Sequence, residues 1–240
     1  MKKKNLISVA LLFAALGLVG CKTTSTFETH LESFVTAYYD YANYKLKINS
    51  VGDVIVIPDI EKIYYENSQN QDDLNRFAEL SSKYGDANFN KRLVTGVPVV
   101  CPNLMAAENI VSIELICLED INDKYQNNSS VADLFMVSAV SPLKYIQSKY
   151  TQNGDNDDWN FMISSYFVNC YQSFKKPLNE VTAEDLVLIG NGEYPTTIIL
   201  AIEPKDKDNC PAWGKKLRLT LNYENQYPIS KDFVFERGEY

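Results

Sequence analysis

The hydrophobic pattern of this 240-residue chain changes character near residue 20. Residues 6–19 form an almost unbroken apolar run behind Lys2, Lys3 and Lys4. Beyond it, apolar positions recur mostly at every second residue, in short segments parted by Asn, Asp, Gly and Pro. A period of two belongs to strands with one buried face. Residues 109–118 give the clearest case. Val111, Ile113, Leu115 and Cys117 share one face, while Ile116 and Leu118 add apolar residues to the other. That predicts a central strand buried on both sides at its end. Residues 44–48, 53–57 and 60–65 read as further strands, the last two split by Pro58. Residues 93–100 read as a short edge strand interrupted by Pro98, and 159–174 as one long strand. Residues 217–223 and 229–235 predict a hairpin with Leu217, Leu219 and Leu221 on one face.

Two stretches carry a helical signal. Leu74, Phe77, Leu80 and Tyr84 fall on one face of 73–84, with Asp72 as the expected N-cap and Gly85 as the stop. Phe27, Leu31, Phe34, Tyr38 and Tyr41 also fall at helical spacing, and Ser25 with Glu28 could form a capping box. The β-branched and aromatic composition of 34–39 nevertheless favours a strand over 33–41. Turn signals between short alternating segments predict a mostly-β chain: an antiparallel β-sandwich with one short helix, over a single domain at 33–240 with insertions.

The apolar run at 6–19 is shorter than the roughly 20 residues a spanning helix needs. Behind three lysines it reads as a signal peptide over 1–20. The adjoining Leu18-Val19-Gly20-Cys21 resembles a bacterial lipobox. The resemblance implies diacylglycerol on the Cys21 sulfur, cleavage before Cys21 and acylation of its new amino group. Several acyl chains on one residue pass the threshold for stable anchoring. Residues 21–32 then read as the lipidated cysteine and a Thr/Ser-rich tether. Lys22 follows Cys21, not the Asp that resembles an inner-membrane retention signal. The expectation is therefore an outer-membrane lipoprotein, on the periplasmic face or the cell surface.

Charge narrows the partners. Of 23 Lys/Arg, three leave with the signal peptide, against 31 Asp/Glu retained, so the mature chain carries about −11. An acidic chain without clustered Lys/Arg is not expected to bind nucleic acid. Its membrane contact is expected through the lipid alone.

With Cys21 lipidated, Cys101, Cys117, Cys170 and Cys210 remain, and four cysteines in an exported chain predict two disulfides in one of three connectivities. Strand-to-strand and loop-to-loop matching favours Cys117–Cys170 with Cys101–Cys210; the alternative is four free thiols. His30 is the one histidine, so histidine-based triads are excluded and no catalytic residue is assigned. Asn153, Asp155 and Asp157 alternate as calcium-loop ligands do, but Asp158 and Ser164 stand where Gly and Glu belong. A looser calcium site is weighed there against a solvated acidic turn. No other cofactor is expected. Trp213 and Trp159 are candidates for stacking on sugar rings, against the alternative of packing in the core.

Residues 108–115, followed by Asp120-Ile121-Asn122-Asp123-Lys124-Tyr125 and Asp133-Leu134-Phe135, resemble a phrase in small lipoproteins of Gram-negative gut anaerobes. Those have an immunoglobulin-like or transthyretin-like β-sandwich and no assigned activity. The resemblance implies a fold and a location, and carries over no functional residue. The expected role is non-enzymatic, binding a glycan or an envelope protein. The alternatives are a fimbrillin-like pilus component and a carboxylate-dependent glycan hydrolase, the latter with two carboxylates facing across a cleft.

Overall fold

The structure is a computed structural model that describes residues 26–95, 103–151, 171–190 and 197–237. Cys21, Cys101, Cys170, Trp159, Ser25 and the Asn153/Asp155/Asp157 group lie outside these residues, as do nearly all of the strand expected over 159–174 and the end of the one expected over 93–100. Among the described residues no helix is long and apolar enough to cross a membrane.

The chain divides into two compact units. Of the described residues, the smaller comprises 26–29 and 92–95. Strand β1 (Phe27–Leu31) pairs with β4 (Lys91–Thr95), and Glu28 forms an ion pair with Arg92. Glu28 therefore sits on a strand and closes no capping box, and part of the stretch read as tether is ordered by strand pairing.

The larger unit is mostly β and sandwich-like, with a short helix. Among its described residues, a large sheet runs in the order β5 (Leu104–Ala106), β2 (Ala37–Ile48), β3 (Val54–Tyr65), β9 (Leu200–Pro204), β7 (Phe135–Ser141) and β8 (Gln172–Pro177). Its neighbours are antiparallel, except that β2 and β5 run parallel. A small antiparallel sheet runs in the order β11 (Ile229–Val234), β10 (Lys216–Tyr223) and β6 (Ile110–Cys117).

The small sheet covers one face of the large one. Leu217, Leu219, Leu221 and Leu115 meet Tyr39, Val56, Val137 and Ile202 in one continuous apolar core. The Tyr44 hydroxyl crosses between the sheets and donates to the Leu219 carbonyl at 2.8 Å. A second apolar core lies on the far face of the large sheet. There Tyr38, Ile55, Tyr64, Val140 and Ala201 pack against helix α1 (Gln71–Tyr84), the short helix α2 (Leu143–Gln147) and the connecting segments. The sandwich thus carries a third, helical layer, which explains the unbroken apolar runs at 54–57 and 199–202: both faces of those strands are buried.

Local departures from the sequence pattern have identifiable causes. β3 runs straight through Pro58, which cannot donate to a ladder. Among the described residues the neighbouring β9 pairs only with Val54–Val56, so no ladder bond is asked of Pro58 there. Among the described strands β6 ends its sheet rather than lying at its centre, while its last residues also pair outward with the 129–131 segment. A register shift there pairs Ser112 with Asn222 and Ile110 with Tyr223, skipping Val111. Ile110 is buried in consequence and Val111 turns outward. Similar shifts near Asp40–Asn43 let Tyr41 and Tyr44, three residues apart, face the same core.

α1 begins two residues before the sequence expectation. Asn70, not Asp72, is the N-cap: its side chain accepts from the Asp72 and Asp73 amides at 2.9 and 3.3 Å. Asp72 and Asp73 instead sit in the first turn, where their charge suits the helix dipole. Gly85 ends the helix in the left-handed region, at φ 70°. Asn70→Ala is expected to cost about 1 kcal/mol, read as a lowered urea midpoint with unchanged slope.

Candidate functional site

A cleft of about 610 Å³ opens beside α1. The helix contributes Gln71, Leu74, Asn75, Ala78 and Ser82, which recur at helical spacing along one side, with Gly85 just beyond its end. Glu32 and Ser33 form the opposite wall, with Glu66, just past the end of β3, and Asp86, just past the helix cap, completing the lining. The wall is therefore polar over an apolar floor at Leu74 and Phe77. Among the described residues no Lys or Arg lines it.

Asp86 is almost fully buried and organises this region. One carboxylate oxygen accepts from the Phe34 amide at 2.9 Å and the other from the Val35 amide at 2.7 Å. The Tyr150 hydroxyl lies 2.8 Å from Asp86 Oδ1 and 2.9 Å from the Ala87 carbonyl. Burial pushes the Asp86 carboxyl above the usual range, and the two amides partly restore it. On the other side of the same segment, Asn103 donates to the Phe34 carbonyl at 2.8 Å and its carbonyl accepts from Thr36 at 3.0 Å.

Glu66 accepts from the Ser33 amide at 3.4 Å. Its carboxyl is pushed up to about 7, chiefly by burial and further by the charges of Glu32 and Asp86, against the opposing pull of the Ser33 amide. The folded chain thus binds this proton more tightly than the unfolded one. The stability it contributes is complete below pH 4.5 and is lost as the pH rises through about 7. Glu66→Gln is expected to gain stability relative to the parent over that window. Paired urea titrations at pH 5 and pH 8 measure the difference.

Trp213 is half-buried in the 205–215 loop. Its ring stacks on Phe235, with centroids 4.1 Å apart and planes 4° apart. Its indole N–H donates to the Lys207 carbonyl at 3.1 Å, and the Arg237 guanidinium lies over the ring at 5.3 Å. Core packing and a cation thus occupy the flat surface that a sugar would use. A shallow depression of about 450 Å³ adjoins it, lined by Asp208, Trp213, Gly214, Glu236 and Arg237. The ring edge also presses on Gly52. A Cβ there would lie 2.2 Å from the indole, and the backbone has φ 89°. Gly52→Ala is expected to cost about 2 kcal/mol by denaturant titration, from left-handed strain and the clash together.

The disulfide expectation is corrected at the two cysteines described, since Cys117 and Cys210 are both buried free thiols. Cys117 ends β6 facing the core, and its thiol donates to the Gln126 carbonyl at 2.9 Å inside the following loop. Cys210 is enclosed by the 205–215 loop, where burial pushes its thiol up. Among the described residues no group of three or more His, Cys, Asp and Glu is arranged to hold a metal.

Sequence reading missed the α1 cleft altogether. Glu32, Glu66 and Asp86 are far apart in the chain and sit in no motif. The faint local signal was Asp86 directly after a helix-ending Gly85. Comparison with protein-family models, with curated proteins and with solved structures finds no match to this chain.

Proposed function

We propose that this chain is an envelope lipoprotein, anchored through lipid on Cys21, with a non-enzymatic binding role, and that its ligand sits in the cleft beside α1. The cleft itself carries the reading: about 610 Å³ walled by carboxylates, amides and hydroxyls over an apolar floor. Such a lining suits a hydroxyl-rich ligand held by several hydrogen bonds, and a glycan is the chemical class that fits. With three carboxylates and no cation among the described lining residues, amino sugars are favoured over acidic sugars. The Trp213 surface contributes less to this reading, because Phe235 and Arg237 already cover the ring. A glycan array tests the proposal, comparing the parent with Ser82→Trp, which fills the cleft from the exposed side of α1. Binding by the parent that is lost in the variant supports the reading; failure of the parent to bind any glycan sinks it.

One observation favours a second reading, a carboxylate-dependent glycan hydrolase. Glu66 has a carboxyl held near 7 inside a cleft, which suits a proton donor at neutral pH. The other buried acid, Asp86, is committed to the Phe34 and Val35 amides, which leaves the exposed Glu32 as the second carboxylate. Release of reducing ends from a glycan by the parent, abolished in Glu66→Gln, would favour hydrolysis over binding.

A further inference from the structure

We propose that the Glu32–Ser33 wall of the cleft is a proton-controlled latch, closed when the Glu66 carboxyl is neutral and loosened when it is ionised. The inference goes beyond the ligand reading and does not depend on what the cleft binds.

The geometry sets the latch. Residues 33–35 form the short link by which the chain enters β2, and carboxyl groups from two other parts of the fold hold three successive amides of that link. Glu66, just past β3, takes the Ser33 amide at 3.4 Å, and Asp86, past α1, takes those of Phe34 and Val35 at 2.9 and 2.7 Å. The Glu66 backbone also reaches the link, its amide donating to the Thr36 carbonyl at 3.2 Å. A carboxyl group accepts a hydrogen bond in either protonation state, so the neutral form of Glu66 keeps the Ser33 contact. The ionised form adds a third negative charge beside those of Asp86 and Glu32.

The groups facing this acid are of one sign. Glu32 and Asp86 both raise its proton affinity electrostatically. Among the described residues, the hydrogen-bond partners of the Asp86 carboxylate are neutral: the Tyr150 hydroxyl and the Phe34 and Val35 amides. Ion pairs elsewhere absorb their carboxylates: Lys62 takes Asp73, Lys83 takes Glu224 and Arg76 takes Glu108. Ionisation of Glu66 is thus met by repulsion from Glu32 and Asp86, and Ser33 is the least enclosed residue of the link, though the Glu32 carbonyl before it stays held by the Phe89 amide at 2.9 Å. Asn103 holds the opposite side of the link at Phe34 and Thr36, which confines the motion to the cleft wall.

Amide hydrogen exchange on the full-length chain, corrected for intrinsic rates, reads the latch directly. Protection of the Ser33 amide is expected to fall about tenfold between pH 6 and pH 8 in the parent, equivalent to roughly one unit of carboxyl pKa. It should fall less than about twofold in Glu66→Gln over the same unit-based scale. Thr36, bonded to Asn103, should hold its protection throughout and serves as the internal control. Glu32→Gln, a change at an exposed position, should keep the transition and move its midpoint to lower pH, because one of the two charges that raise the Glu66 proton affinity is gone while Asp86 still drives the release. An unchanged Ser33 protection in the parent overturns the proposal. So does an equal fall in Glu66→Gln, or a parallel loss at Thr36, which would mark general unfolding.

Discussion

Asp86→Ala is expected to lower the thermal midpoint of unfolding by about 10 °C, for a loss of roughly 4 kcal/mol in a chain of this size. The side chain is almost wholly enclosed and makes its bonds to residues more than fifty positions away in sequence. Removing it strands the Phe34 and Val35 amides without acceptors, on two fully buried residues. Each such orphan costs about 1–3 kcal/mol. The Tyr150 hydroxyl keeps the Ala87 carbonyl as an alternative, so its loss is smaller. Asp86→Asn retains one acceptor oxygen and should lose about half as much. Calorimetry or circular dichroism on the two variants measures both values, and equal losses would show that the second oxygen contributes nothing.

Phe34→Ala should be comparably severe, about 3–5 kcal/mol. Phe34 is fully buried at the centre of an aromatic group. Its ring meets Phe89, Tyr145 and Tyr171 edge-on, with centroids 5.3, 5.2 and 5.8 Å away. These partners come from three separate parts of the chain, so one truncation opens a cavity among all of them. Edge-to-face pairs add stabilisation beyond the area they bury. Phe34→Leu keeps most of the volume and should cost less than half as much. Denaturant titration with both variants separates the loss of volume from the loss of ring geometry.

The outline of the fold was legible because its strands alternate. β10 and β11 follow the expected hairpin, with Leu217, Leu219 and Leu221 all buried as the pattern required. The helix was legible from Leu74, Phe77, Leu80 and Tyr84, and from Gly85 at its end. What pattern reading missed came from register and from distance. The helical spacing of Phe34, Tyr38 and Tyr41 is not one helix face: Phe34 and Tyr38 enter the core under α1, and Tyr41 enters the core between the sheets. Plain alternation puts Tyr38 and Tyr41 on opposite faces, and the register shifts near Asp40–Asn43 then bring Tyr44 back to the side of Tyr41. Val111 read as inward for the same reason in reverse, since the local alternation cannot register a skipped residue. The third layer was invisible because an apolar run reads the same whether a sheet or a helix covers its second face. The cleft was hidden more completely. Its three acids stand at positions 32, 66 and 86 and meet only because the entry to β2, the end of β3 and the cap of α1 converge.

Trp213 shows the converse limit. A tryptophan in a charged loop next to a cysteine leaves stacking on a sugar and packing in the core both open, and its ring is held by Phe235, Gly52 and the Lys207 carbonyl. The loop folds back over its own aromatic residue, and only the tertiary contacts reveal it.

The most direct test of the cleft as the binding surface is a heteronuclear NMR titration of the full-length chain with glucosamine oligosaccharides and, separately, with neutral glucose oligosaccharides. The expected result is a set of saturable shift changes centred on Glu32, Ser33, Asn75 and Ser82, larger for the amino sugar. Changes confined to the Trp213–Arg237 surface, or none with either sugar, would contradict it.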